Sequence, residues 1–245
     1  MFFREGYRVI RVPELCKIIV PRRAALITAA VLTGVSAVCA AVPDSSYTNF
    51  SRHASYLFHF NGVLIHFCIQ YPLIILLSVP VFKIIQNDMF RLRLGKNERV
   101  CRTAAAAAFV TGLFYTLLKT IVEYSFYSAL GGAVNPVIFL TGFALLFLTA
   151  SMILLLFLTL KALTRGTAWP VFILTILFGA DTLTAAVYIP LFPESLMLIA
   201  YPLSSAQGFL LNGGVNILFL CGVSVFKVLL ALALFKYVTV KIERG

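Results

Sequence analysis

Four ionisable side chains lie inside long apolar runs of this 245-residue chain: Lys119, Glu123, Asp181 and Lys227. On insertion scales a charge at the centre of a membrane helix costs about 3 kcal/mol, so such residues face the bundle interior, a wet cavity or a partner. Lys119 and Glu123 are four residues apart and share a helix face. Three readings are open for them: snorkelling toward the outer interface, pairing with each other, or lining a polar pathway. Asp181 and Lys227 fall near the middles of two consecutive runs. A buried pair locking two antiparallel helices is the economical reading, and a charge exposed to substrate or a proton is the other.

Other chemistry is largely excluded. His53, His59 and His66 are spaced by six and seven residues, too far apart along a helix to ligate one ion without further partners, so no metal site is expected. The sequence holds no H-E-x-x-H, no G-x-S-x-G and no P-loop, so neither a hydrolase nucleophile nor a nucleotide cradle is visible and an enzyme is not expected. No cofactor bound by this chain is expected either. None of the five cysteines (Cys16, Cys39, Cys68, Cys101, Cys221) falls in a segment placed on the external side, so no disulfide framework is implied.

The elements that hold these residues follow from hydropathy. Hydrophobic residues make up 61% and charged residues 12% of the chain, and the mean hydropathy is +0.98. A soluble domain carries about 25% charged residues, so the chain is an all-α integral membrane protein with one membrane domain over residues 1–245. Six runs are long enough to span: Ala24–Val42, Gly62–Ile85, Thr103–Tyr127, Val137–Leu160, Trp169–Ile189 and Val215–Phe235. They lack the two-residue alternation of barrel strands, which leaves a six-span helical bundle over residues 24–235. The first run follows a basic lead of 23 residues, too long for a signal peptide, and is expected to be retained. Pro43–Asn61, Gln86–Arg102, Ser128–Pro136, Lys161–Ala168 and Pro190–Gly214 are the connections.

Charge sets the orientation. Of the 20 Lys and Arg, six lie in residues 1–23 and six between Lys83 and Arg102. Two more lie in the fourth connection and three in the tail, residues 236–245. That places 17 on one side and Arg52 alone on the other, with Lys119 and Lys227 inside spans. The side rich in Lys and Arg is cytosolic, so both termini are cytosolic in a cell (inner or plasma) membrane. The net charge of +11 therefore addresses anionic lipid rather than nucleic acid. Arg4, Arg8 and Arg11 recur at helical spacing among apolar residues, which predicts an amphipathic interfacial helix in residues 1–23. Pro190–Gly214 is semi-apolar but broken by Pro and Gly. It is expected either to dip into the outer leaflet and return or to rest on the outer surface.

This layout resembles the membrane subunit of an ABC-2 type ABC transporter, a half-transporter permease. The likeness lies in the basic amphipathic lead, six spans, and the charged connection Gln86–Arg102, where Asp88 precedes Arg91, Arg93 and Arg99. The semi-apolar external segment and the short basic tail add to it. The resemblance implies a dimer with a second permease copy and a separate ATP-binding cassette subunit that carries ATP and Mg. It further implies coupling of that subunit through the loop, here Asp88, Phe90, Arg91, Arg93, Glu98 and Arg99, and through the lead. The external segment would be a paired, partly re-entrant hairpin, and the substrate an exported peptide, lipid or drug. The rival is a self-sufficient secondary transporter or channel with Glu123 or Asp181 as its coupling carboxylate, disfavoured by the lack of repeats.

Overall fold

The computed structural model describes residues 22–42, 51–62, 65–86, 97–164, 168–186 and 217–244. Every element among them is helical and no strand occurs. In chain order these are α1 (Arg22–Ala41), the short α2 (Arg52–Phe60), a π-helical turn (His66–Gln70) running into α3 (Tyr71–Gln86), and α4 (Asn97–Ala129). Then follow α5 (Pro136–Thr164), α6 (Ala168–Ala186) and α7 (Ile217–Arg244). Among the described residues four stretches are long and apolar enough to cross a membrane: Arg22–Ala41, Arg99–Ala129, Phe139–Thr164 and Cys221–Thr239. Two shorter apolar helices, Phe67–Val79 and Ala168–Leu177, lie among them. The predicted interfacial helix at Arg4, Arg8 and Arg11, the loop residues Asp88, Phe90, Arg91 and Arg93, and the segment Pro190–Gly214 lie outside the described residues.

Two expectations about boundaries are corrected. The connection Pro43–Asn61 contains a nine-residue helix, α2, because Tyr56, Leu57 and Phe60 repeat at helical spacing and are buried. The polar residues Arg52, His53 and His59 had hidden that apolar stripe in the averaged hydropathy. Likewise α4 begins at Asn97 rather than Thr103, so part of the charged connection is already the first turn of a 33-residue helix. At 1.5 Å per residue that helix is about 50 Å long, well beyond a bilayer's hydrocarbon core of about 30 Å.

Local chemistry explains how the helices start and stop. Asn135 caps α5 by accepting from the Val137 N–H at 3.0 Å, with Pro136 at the first helical position, where its missing N–H costs nothing. At the end of α4, Gly131 takes φ +90°, and the Gly132 N–H donates to the Tyr127 carbonyl. A residue without Cβ is needed at that left-handed position. Within the apolar helices the hydroxyls of Thr28, Thr111, Thr116, Thr149 and Thr159 each donate to the carbonyl four residues earlier. They therefore bring no unmet donor into a dry environment.

α5 is the hub. It packs against α4, α7, α6 and α3, and 67% of its spanning window is buried, against 28% for α1 and for α7. Leu145, Ala150, Ile153, Leu155 and Phe157 cover its circumference, each at most 1% exposed. α4 lies against it so closely that a Cβ on Gly112 would sit 2.8 Å from Ser151 Oγ. The outer helices turn large apolar side chains outward instead. Leu26 and Val38 on α1, Trp169 and Phe172 on α6, and Phe226 and Leu229 on α7 are all more than half exposed. Contiguous apolar surface of this kind suits lipid contact and is unusual on a water-soluble monomer.

Candidate functional site: a buried polar cluster on α4

Lys119 and Glu123 sit one turn apart on α4, and the structure closes them on each other: Lys119 Nζ lies 2.9 Å from Glu123 Oε2. Both side chains are only 3% exposed. An ion pair so removed from water needs its remaining donors and acceptors filled. Asn61, the residue that ends α2, does this with one carboxamide. Its Oδ1 accepts from Lys119 Nζ at 2.8 Å, and its Nδ2 donates to Glu123 Oε1 at 2.7 Å. The result is a closed ring of three side chains from two helices, joining residues 62 positions apart in sequence.

The surroundings are aromatic and sparsely polar. The Phe60 ring lies 5.1 Å from Lys119 Nζ, adding a cation–π contact on the α2 side. Tyr56 stacks on Phe60 with ring centroids 5.6 Å apart, and its hydroxyl donates to Ser36 Oγ of α1 at 3.2 Å. Below the cluster, the Tyr115 hydroxyl of α4 donates to Gln70 Oε1 at 3.4 Å, and Gln70 Nε2 donates to the Phe60 carbonyl at 3.3 Å. Asn61 Nδ2 also reaches the Leu57 carbonyl at 3.2 Å. Asn61 and Gln70 thus bond carbonyls in the last turn of α2. This satisfies carbonyls that the end of a helix leaves without an intrahelical partner.

Of the other residues singled out from sequence, several side chains lie outside the described residues. Lys227 is partly buried on α7, and Asp181 belongs to α6, but the Asp181 side chain lies outside the described residues. Among those residues α6 packs on α5 and the π-helical turn, whereas α7 packs on α5 and α4. Arg99 is exposed in the first turns of α4, and the Glu98 side chain lies outside the description. Of the histidines, His53 stands edge-on to Tyr127 with centroids 5.2 Å apart. Among the described residues no group of three His, Cys, Asp or Glu is placed to hold a metal ion.

Sequence reasoning missed Asn61, Tyr56, Ser36, Gln70 and Tyr115. A usable signal existed for Gln70, a long polar side chain inside an apolar run. Asn61 carried none, because it read as the end of a connection.

The described residues form a helical bundle with four stretches suited to crossing a bilayer, which defines the class: a helical protein compatible with a membrane location. No family model, no curated protein and no solved structure matches it.

Proposed function

We propose that the chain is the membrane subunit of an ATP-driven exporter of the ABC-2 kind, moving an amphipathic peptide, lipid or drug. In this reading the two shorter apolar helices complete six spans, the Lys and Arg bias puts both termini in the cytosol, and the external segment Pro190–Gly214 shapes the exit. A separate ATP-binding cassette subunit supplies ATP and Mg, and a second permease copy completes the path. Anionic lipid holds the basic lead.

The observation that carries this reading is the continuity of α4. One helix runs from Asn97, in the charged connection, to Ala129. Arg99 and Lys119 are 20 residues apart, so a displacement at the loop would be conveyed about 30 Å along a rigid rod to the buried cluster. A self-sufficient transporter would want a carboxylate open to an ion or proton. Glu123 instead has its charge balanced by Lys119 and both oxygens engaged, which favours a mechanical over an ion-coupling role.

Purification of the native protein in mild detergent tests the proposal. A P-loop ATPase should accompany it, and the Arg91→Glu, Arg93→Glu double variant should insert normally yet lose that subunit. Undiminished ATPase association in the double variant would remove the loop as docking site. A wild-type protein that brings down no ATPase and moves solute on an ion gradient alone would replace the proposal with the secondary-transporter reading.

A further inference from the structure

We propose that α2 is a latch: a helix seated on α4 through the neutral carboxamide of Asn61, able to undock while the Lys119–Glu123 pair stays closed. The inference rests on the geometry of the cluster and holds whether or not the transport reading does.

The argument turns on where the charges are. Both belong to α4, four residues apart and 2.9 Å from each other. Had Lys and Glu been divided between α2 and α4, separating the helices would strand two opposite charges in a dry interior, and the contact would be permanent. Asn61 brings no charge. When it leaves, Lys119 and Glu123 still neutralise each other; the contacts to α4 that open include two hydrogen bonds, the Phe60 cation–π contact, the Tyr56–Phe126 stack and the His53–Tyr127 edge contact, and none of these separates opposite charges.

The other polar ties of this region sit at the long end of the hydrogen-bond range: Tyr56 to Ser36 at 3.2 Å, Gln70 to the Phe60 carbonyl at 3.3 Å and Tyr115 to Gln70 at 3.4 Å. Such bonds hold less tightly than the two made by Asn61. The apolar seat is made by Tyr56, Leu57 and Phe60 of a nine-residue helix, which packs on α1 as well as on α4. By contrast, the α4–α5 contact is interlocked at Gly112 and Ser151 and runs along two long helices. The fold therefore combines an interlocked α4–α5 frame with one short helix seated on it through neutral contacts, a unit able to open below the global unfolding threshold.

Hydrogen exchange of the full chain in detergent, read peptide by peptide, tests this. In the wild type, amides of α2 should exchange at least tenfold faster than those between Thr111 and Ile121 of α4. Asn61→Leu, which removes both hydrogen bonds but leaves the ion pair, should accelerate α2 a further tenfold or more and leave α4 and α5 unchanged. Equal protection of α2 and α4 in the wild type would overturn the proposal, and that comparison needs no variant to fold. So would an Asn61→Leu protein in which α4 and α5 exchange faster to the same degree as α2, since Asn61 would then be part of the common core.

Discussion

The Lys119–Glu123 pair allows a quantitative prediction. Removing one partner of a buried pair typically costs about 3–5 kcal/mol, while removing both together is often close to neutral. The structure ranks the single variants. In Glu123→Gln, Lys119 keeps its charge and seeks acceptors, and the new amide offers it one oxygen. If that oxygen turns to Lys119, the amide nitrogen faces Asn61 Nδ2, a donor against a donor. If Asn61 flips to relieve the conflict, its Oδ1 leaves Lys119, where it now lies at 2.8 Å. This variant belongs at the upper end of the range. Lys119→Met strands Glu123, yet Asn61 Nδ2 still donates to it from 2.7 Å, which places the loss near about 3 kcal/mol. In the double variant two neutral amides can exchange hydrogen bonds beside an apolar Met, and stability should return to within about 1–2 kcal/mol of wild type. The two changes should then couple by at least about 2 kcal/mol, a value expected only of groups in direct contact. Reversible unfolding in mixed detergent micelles, run as a double-mutant cycle, measures all four proteins. Additive losses, or single losses under about 1 kcal/mol, would mean that the pair is wet or apart and that the buried ring is not formed.

Two further expectations can be checked with simple variants. In a background freed of the five native cysteines, cysteines placed at Ser46 and Ser205 should react with an impermeant thiol reagent in intact cells and one at Asn97 should not; the reverse pattern refutes the proposed orientation. Gly112→Ala should destabilise by about 1–3 kcal/mol through overpacking against Ser151, and adding Ser151→Ala should recover part of the loss, since it removes a hydroxyl that is buried without a hydrogen-bond partner; a Gly112→Ala protein as stable as wild type would mean that α4 and α5 are farther apart.

Helical class and membrane character were readable because they depend on averages over about 20 residues, and the apolar runs here are long enough for averaging to work. The runs that became α1, α4, α5 and α7 illustrate this. α2 shows where averaging fails. Its buried stripe of Tyr56, Leu57 and Phe60 is interleaved with Arg52, His53 and His59, so a hydropathy window sees a mixed connection, although a 3.6-residue period is present. The start of α4 was missed for a related reason. Asn97, Glu98 and Arg99 are hydrophilic, and hydropathy reports where a helix enters lipid rather than where it begins.

The cluster itself was half legible, and the missing half has a physical explanation. The i, i+4 spacing of Lys119 and Glu123 made their pairing one of the open readings, since that relation is fixed by helix geometry alone. Asn61 could not be found the same way, because its contact with Glu123 depends on how α2 lies against α4. Buried charges prompt a search for opposite charges on other spans, and the partner here is neutral. A pair that neutralises itself on one helix has no need of a third charge. It needs one acceptor for the ammonium and one donor for the carboxylate, and a carboxamide is the smallest side chain offering both. For an intramembrane Lys–Glu pair one turn apart, the partners to seek are therefore Asn and Gln near the ends of neighbouring helices, including short helices that hydropathy assigns to loops.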